Sequence, residues 1–335
     1  MNVGKSYRLP EFVRWTRRKL YVLLALSALP VLLVEYAGWQ GLAVPWVAVA
    51  VLGTATSFIV GFKNAQTYQR TIEAQQVWTA IAAATRYWGL ICRDFPLGRE
   101  QARALTLRHL AWLTALRYQL RSPRPWETAR SASNAEYGSA WVVAERHAPL
   151  EAQLRKYLSD EELARMEHAP AKALMLLSLQ SEALRALYTQ QQIVVLHHTE
   201  MQKTIKEMLD QQSRAERIKN FPYPRQYAIV NTVFVWSFAA LLPFGLTAEF
   251  ARSAASFPAM PPLLVTCLAI PFSVLISWLY VALDQVGEST ENPFEGAAND
   301  VPITQICLLL ENELRALLGE APLPALPRPV NHIIL

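Results

Sequence analysis

The residue types that most often carry catalysis or bind metals lack the spacing here that either chemistry needs. The three cysteines, Cys92, Cys267 and Cys307, are far apart and odd in number, so they support neither a disulfide framework nor a C-x-x-C metal knuckle. His197 and His198 are adjacent, which directs their side chains about 100° apart on a helix. One metal ion cannot be bound by both within a subunit. The sequence therefore predicts no metal site and no cofactor.

Enzyme signatures are also missing from the sequence. The chain contains no Gly-rich phosphate loop, no G-x-S-x-G elbow and no H-E-x-x-H helix. The acidic run Asp160-Glu161-Glu162 is typical of a helix N-terminus, which favours negative charge. The net charge of +5 is spread through the chain without a nucleic-acid-binding motif. We predict neither an enzyme nor a nucleic-acid-binding protein.

Three side chains at helical spacing indicate another kind of function. Thr54, Phe58 and Phe62 follow one another at intervals of four residues, so they share one helix face at steps of about 6 Å. In a membrane bundle, successive rings of apolar side chains can narrow a pore and close it by dewetting. The same spacing is expected if the phenylalanines simply pack against other helices. The spacing alone leaves both interpretations open.

These side chains belong to one of several uncharged stretches. Hydrophobic residues make up 52% of the chain and charged residues only 18%, against about 25% charged residues in soluble domains. A helix needs about 20 apolar residues to cross a bilayer core. Tyr36 and Trp39 can extend the shortest stretch through the interface. The predicted spans are residues 20–34, 41–62, 226–248 and 253–283.

The basic residues predict the orientation and the division of the chain. Several lie before the first span, and the link at residues 35–45 has none, which places both termini in the cytoplasm of an inner-membrane protein. The predicted parts are a cytosolic N-terminal segment (1–19), membrane helices 1 and 2 (20–62), a cytosolic helical region (63–224), membrane helices 3 and 4 (225–284) and a cytosolic tail (285–335).

The polar region between the second and third spans is also expected to be helical. Ala, Leu, Gln, Glu and Arg dominate it and glycine is sparse, a composition that favours helices, and no strand-like alternation persists. No breaker follows Phe62, so the second span is predicted to continue as one long helix. Helices are expected at residues 64–92, 99–121, 150–167, 171–188, 190–220 and 303–318. The predicted fold class is all-α, integral to the membrane.

Three blocks of residues, in the same order along the chain, resemble the bestrophin family. The first is Gly61-Phe62-Lys63-Asn64 with Tyr68, Arg70, Glu73, Ala74 and Trp78. The second is Arg217-Ile218 with Pro222, Pro224 and Leu241-Leu242-Pro243-Phe244. The third is Glu291-Asn292-Pro293-Phe294 with Asn299, Asp300, Pro302 and Cys307. Lys63 and Gln75 depart from arginines of the family pattern. The likeness extends from about residue 14 to 318, and the N-P-F-x(4)-N-D block is its most specific part.

The resemblance implies a homopentamer around one central pore, with four spans per subunit and a helical cytosolic vestibule. Bestrophins conduct ions passively, so the implied partners are the lipid bilayer, further copies of the chain and permeant monovalent ions, chloride among them. Thr54, Phe58 and Phe62 match the three neck positions. Ile193 falls about where a cytosolic aperture lies in bacterial members, and an ordinary core isoleucine is the alternative for this position. The stretch at residues 295–300 lacks the acidic run of the calcium clasp in animal members, so no calcium gating is expected.

Two questions stay open at the level of the sequence. A phenylalanine edge is electropositive and its face electronegative, so neck phenylalanines can favour ions of either sign. A non-conducting membrane scaffold whose cytosolic helices bind a partner would share the same spans. Substitution of Phe58 and Phe62 distinguishes the two functions, because a scaffold would tolerate it and a channel would change its conductance.

Overall fold

The structure is a computed structural model of the chain and describes residues 1–4, 7–38, 44–95, 98–128, 131–256 and 258–335. Over these residues it consists of α-helices joined by loops and two 3-10 turns, Ala144–Arg146 and Ala254–Ser256. Within the same ranges there is no β-strand, only isolated bridges from Ile333 to Asn2 and Val330. The predicted all-α class is confirmed. Trp39 and the start of the second predicted span lie outside the described residues.

The helices are numbered in chain order. They are α1 Leu9–Ala37, α2 Trp46–Asp94, α3 Arg99–Arg121, α4 Ala132–Gly138, α5 Leu150–Leu154, α6 Asp160–Glu167, α7 Lys172–Thr189, α8 Val195–Asn220, α9 Arg225–Ser253, α10 Pro262–Cys267, α11 Ala269–Ser289 and α12 Ile303–Leu317. Four helical segments of the described chain are long and apolar enough to cross a membrane. They are α1, α2, α9 with the turn that follows it, and α10 with α11.

The second span continues into the polar region without interruption, as predicted. Helix α2 is 49 residues long, which corresponds to about 74 Å at 1.5 Å per residue. Only its first part is apolar enough for lipid, so the rest extends beyond the membrane. The pore candidates and the start of the polar region therefore belong to one rigid element.

Three predicted helix boundaries were wrong. The stretch 253–283 contains the link between α9 and α10, because Pro261 and Pro262 begin a new helix there. The predicted helix 150–167 is divided into α5 and α6, since Ser159 forms a capping box with Glu162 and starts α6. Helix α8 begins at Val195 rather than residue 190. The short helix α4 was not predicted at all.

The main hydrophobic core lies outside the membrane helices and is built by α3, α5, α6, α7, α8, α12 and the later part of α2. Trp78, Trp88 and Trp112 are at most 1% exposed there. The membrane helices enclose two smaller clusters, one around Leu23 and one around Phe238. The extramembrane part is thus packed within one chain, and it holds the later half of α2 in place.

Candidate pore-lining helix

One face of α2 is left uncovered by the rest of the subunit. Phe58 is 75% exposed, Phe62 57% and Val51 65%. Thr54 is exposed on the same face, and its hydroxyl donates to the carbonyl of Ala50 at 2.9 Å. This hydrogen bond engages the hydroxyl proton within the helix itself. The face predicted as the neck is therefore free to meet a lumen, lipid or another copy of the chain.

The opposite face of α2 packs closely against α9 and α11. Val49 and Val60 are at most 2% exposed. A β-carbon on Gly53 would lie only 2.8 Å from the ring of Phe238, so glycine permits the close approach of α9. On the α11 side, the hydroxyls of Ser57 and Tyr280 are 2.7 Å apart. These contacts fix the rotation of α2, and with it the direction of its exposed face.

A buried ion pair follows directly after Phe62. The Lys63 ammonium lies 2.7 Å from the Asp284 carboxylate of α11, and their side chains are 5% and 7% exposed. The Asn231 amide of α9 also donates to Asp284. A buried charge needs such partners, because leaving one unpaired in a medium of low dielectric is costly. The pair joins three membrane helices at the inner end of the candidate neck and carries no net charge.

The other signature residues of α2 connect it to the region that follows the membrane. Asn64 donates to the carbonyl of Leu283 at 3.2 Å. Arg70 donates to the carbonyls of Glu291 at 3.1 Å and Ile218 at 3.0 Å. Glu73 pairs with Arg217 of α8. Trp78 is fully buried, whereas Gly61 and Tyr68 are exposed.

The N-P-F-x(4)-N-D block folds into a turn around the Asp300 carboxylate. That carboxylate accepts the backbone N–H groups of Phe294 at 2.7 Å, Gly296 at 2.8 Å and Val301 at 2.7 Å. It also accepts a charged hydrogen bond from Arg121 of α3 at 2.7 Å. Phe294 is completely buried and holds a φ of 75°, a left-handed conformation that is unfavourable for an aromatic residue. Four hydrogen bonds to Asp300 keep the turn in this shape.

The rest of the block is also structural. Asn292 and Pro293 are buried. Asn299 is exposed and accepts a hydrogen bond from the Tyr7 hydroxyl at 2.9 Å. Burial raises the pKa of the Glu291 carboxyl. The Arg225 guanidinium, 3.0 Å from that carboxylate, acts in the opposite direction and lowers the pKa. The block thus ties the tail to α3, α9 and the segment before α1.

Ile193 lies in the connection between α7 and α8, and its side chain is only 4% exposed among the residues of the main core. Three neighbouring side chains point outward instead: Val194 is 54% exposed, Val195 57% and Leu196 76%. A ring that narrows a pore must reach the lumen. The connection predicted as an aperture therefore presents apolar side chains, but Ile193 itself packs inside its subunit.

The two adjacent histidines make separate contacts. His197 stacks on Phe95 with 4.0 Å between ring centroids, and the His198 ring lies 5.1 Å from that of Tyr188. Across the described part of the chain, no group of three or more His, Cys, Asp or Glu side chains is placed to hold a metal ion.

Several partners of the signature residues were not predicted from the sequence, namely Asp284 and Asn231 beside the candidate neck and Arg121 and Tyr7 at the block around Asp300. Asp284 is the first charge after a long uncharged stretch, as Lys63 is after another. That symmetry is a signal from which their pairing could have been inferred. Arg121 is separated from Asp300 by 179 positions, and nothing in the local sequence indicates its partner.

Known proteins resemble this chain over most of its length. The sequence model of the Bestrophin_2 family, described as "Bacterial/Fungal Bestrophin protein", matches residues 13–316. The chain is 26% identical over 281 residues to the "Voltage-dependent anion channel-forming protein YneE" of Salmonella typhi, covering 82% of this chain and 78% of the relative. A protein of the same description from Ralstonia nicotianae is 24% identical over 276 residues, covering 81% and 76%.

The fold is likewise that of a solved protein. The crystal structure of a bacterial bestrophin homolog from Klebsiella pneumoniae superposes with a TM-score of 0.75 at 21% identity, over 91% of this chain and 99% of that one. The chain belongs to the family of bacterial and fungal bestrophins.

Proposed function

We propose that the protein is a passive anion channel whose pore is lined by α2 of several identical subunits. The observation that carries the proposal is the uncovered face of α2, where Phe58 and Phe62 are 75% and 57% exposed inside a membrane-spanning segment. The relatives support a pore at this face, since two of them are described as anion channel-forming proteins. We propose no enzymatic activity.

In this proposal, Thr54, Phe58 and Phe62 form three successive rings of a neck. Their steps of about 6 Å along the helix give a constriction about 12 Å long. Apolar rings of this kind hold little water and so oppose ion passage when narrow. Thr54 adds a hydroxyl oxygen that can accept hydrogen bonds, which makes the outermost ring more easily wetted than the two phenylalanine rings.

The preference for anions is assigned to the neck rather than to Lys63. The Lys63 charge is compensated by Asp284 at 2.7 Å, so it offers little attraction to a passing ion. A phenylalanine edge carries positive potential. Rings that turn their edges toward the lumen would favour anions without any charged side chain.

A second constriction is proposed at the connection between α7 and α8 that carries Ile193. The exposed Val194, Val195 and Leu196 support the position, and Ile193 would hold them from within the core. The subunits would form a homopentamer in the cytoplasmic membrane with both termini in the cytoplasm, as the family likeness and the basic N-terminal segment imply.

The test is the current through purified protein in a planar bilayer with a tenfold chloride gradient. The proposal predicts a reversal potential close to the chloride equilibrium potential. A potential of opposite sign would exclude anion preference, and an inserted oligomer that stays silent in wild-type and Phe58→Ala/Phe62→Ala forms would exclude a channel. Light scattering of the detergent-solubilised protein checks the assembly, for which the mass should be five times 37.7 kDa.

A further inference from the structure

A cavity lies beside the first turns of α1, and none of the three candidate neck residues lines it. Its volume is about 640 Å³, within the range of small-molecule sites. The walls come from α1, α4, the segment before α5, the end of α11 and the turn that follows Phe294. Five of the lining residues are aromatic: Tyr7, Phe12, Trp15, Tyr137 and Trp141.

The aromatic rings form one connected cluster around Tyr137. Its ring centroid lies 5.3 Å from that of Trp141 and 6.4 Å from those of Tyr7 and Trp15. The polar atoms of these neighbours already have partners in the protein. The Trp15 indole donates to Asn134 at 3.0 Å, and the Trp141 indole donates to the Gly296 carbonyl at 3.1 Å. The rings therefore offer a ligand mainly their π surfaces.

The charges around the cavity favour a cation. Glu11 lines it from the first turn of α1 and is exposed. Within the described ranges, no lysine or arginine nitrogen lies within 4 Å of the Glu11 carboxylate. The lining cation Arg146 is engaged within the wall, since it donates to the carbonyl of Glu295, another lining residue, at 2.6 Å. Glu295 is itself 1% exposed and accepts hydrogen bonds from Thr128.

We propose that this cavity binds an organic ammonium ion. Aromatic faces attract a cation through their quadrupoles, and weakly hydrated alkylammonium groups suit such sites because desolvation costs them little. Glu11 would supply the opposite charge at the rim. The ion can come from a soluble amine or from the headgroup of a phospholipid, since α1 leads from the cavity directly into the membrane.

The test uses the full-length protein in detergent and isothermal titration calorimetry. Choline should bind at least tenfold more tightly than 3,3-dimethylbutanol, its uncharged isostere. Trp141→Ala and Glu11→Gln should each weaken choline binding by about five- to tenfold. The matched controls are Trp46→Ala, at the start of α2, and Glu35→Gln, near the end of α1, because neither residue lines the cavity. Both controls should leave the affinity for choline unchanged.

Nanodiscs distinguish the two sources of the ligand. If the site takes a lipid headgroup, choline should bind more weakly in phosphatidylcholine than in phosphatidylglycerol discs, and equal affinity in both indicates a soluble amine. Absence of choline binding, equal binding of the uncharged isostere, or binding indifferent to both Glu11→Gln and Trp141→Ala would overturn the proposal. Binding is measured without current, so its outcome is independent of channel function.

Discussion

The extramembrane and membrane parts of the chain bury their apolar residues in different ways. In the extramembrane part, large side chains such as Trp88 and Trp112 are at most 1% exposed, and the core takes in side chains of α3, α5, α6, α7, α8 and α12 besides α2. In the membrane part, two small clusters leave large apolar side chains uncovered, including Val47 at 72% and Phe58 at 75%. The extramembrane part thus buries its largest side chains within one chain, whereas the membrane part leaves many of its apolar side chains exposed.

Helix α2 belongs to both parts, so the packing of the extramembrane part bears on the position of the candidate neck. Its later half is held in the extramembrane core through Trp78 and Trp88. Its earlier half is fixed by the Lys63–Asp284 pair and the close contact at Gly53. If the exposed face of α2 lines the pore as proposed, a motion of the extramembrane helices would be transmitted to it through one continuous helix.

The largest loss of stability is expected from Asp300→Ala in the turn that joins the two parts. The substitution leaves the Arg121 charge buried and removes the acceptor of three backbone N–H groups, so unfolding should become easier by about 3–5 kcal/mol. A thermal melt of the solubilised protein measures the change. Asp210→Ala, which breaks an exposed pair with Lys206 at 3.0 Å, is the control and should cost less than about 1 kcal/mol. Equal melting temperatures for the two variants would contradict the role given to Asp300.

A smaller loss is expected from Ile193→Ala, which tests whether this residue belongs to the extramembrane core. Its side chain is 4% exposed, so truncation should cost about 2–4 kcal/mol. Leu196→Ala removes a side chain that is 76% exposed, and it should leave the melting temperature nearly unchanged while altering conductance. The opposite pattern would assign the aperture to Ile193 itself. In that pattern Ile193→Ala keeps the wild-type melting temperature but alters the current, and Leu196→Ala leaves the current unchanged.

The smallest expected effect is a dependence of the stability of the extramembrane part on pH. Burial lowers the pKa of His109 to about 3, and its Nε2 lies 2.9 Å from the Thr85 hydroxyl. Below the unfolded pKa of about 6.5, the unfolded chain takes up a proton that the folded one does not. The free energy of unfolding therefore has its full value above that pH, and it falls by up to about 1.4 kcal/mol per pH unit as the pH decreases. His109→Gln should flatten this slope between pH 6.5 and 5, and an unchanged slope would assign it to other groups.

The sequence was sufficient for features that depend on neighbouring residues. The four spans, the continuity of α2 beyond Phe62 and the capping box at Ser159 all follow from composition or short spacing. The link between α9 and α10 was included in a predicted span, because it carries no charge and only the prolines mark it. A strict charge criterion cannot separate an apolar loop from an apolar helix.

Features that depend on distant residues were not predictable in the same way. The Arg121–Asp300 pair joins positions 179 apart, and the aromatic cavity brings Tyr7 and Trp15 to Tyr137 and Trp141. The burial of Ile193 follows from how α7 and α8 pack, whereas the family likeness gives only its position along the chain. In each case the deciding quantity is a tertiary contact that no local pattern records.

The most direct test of the pore assignment for the uncovered face of α2 compares bilayer currents of the wild type with those of Phe58→Ala/Phe62→Ala. The matched control is Leu275→Ala, an apolar residue of α11 that is 52% exposed. If the face lines the pore, widening two of its three rings should change single-channel conductance or open probability severalfold, while melting temperature and the control current stay constant. Wild-type currents in the double variant would contradict the assignment of this face to the pore.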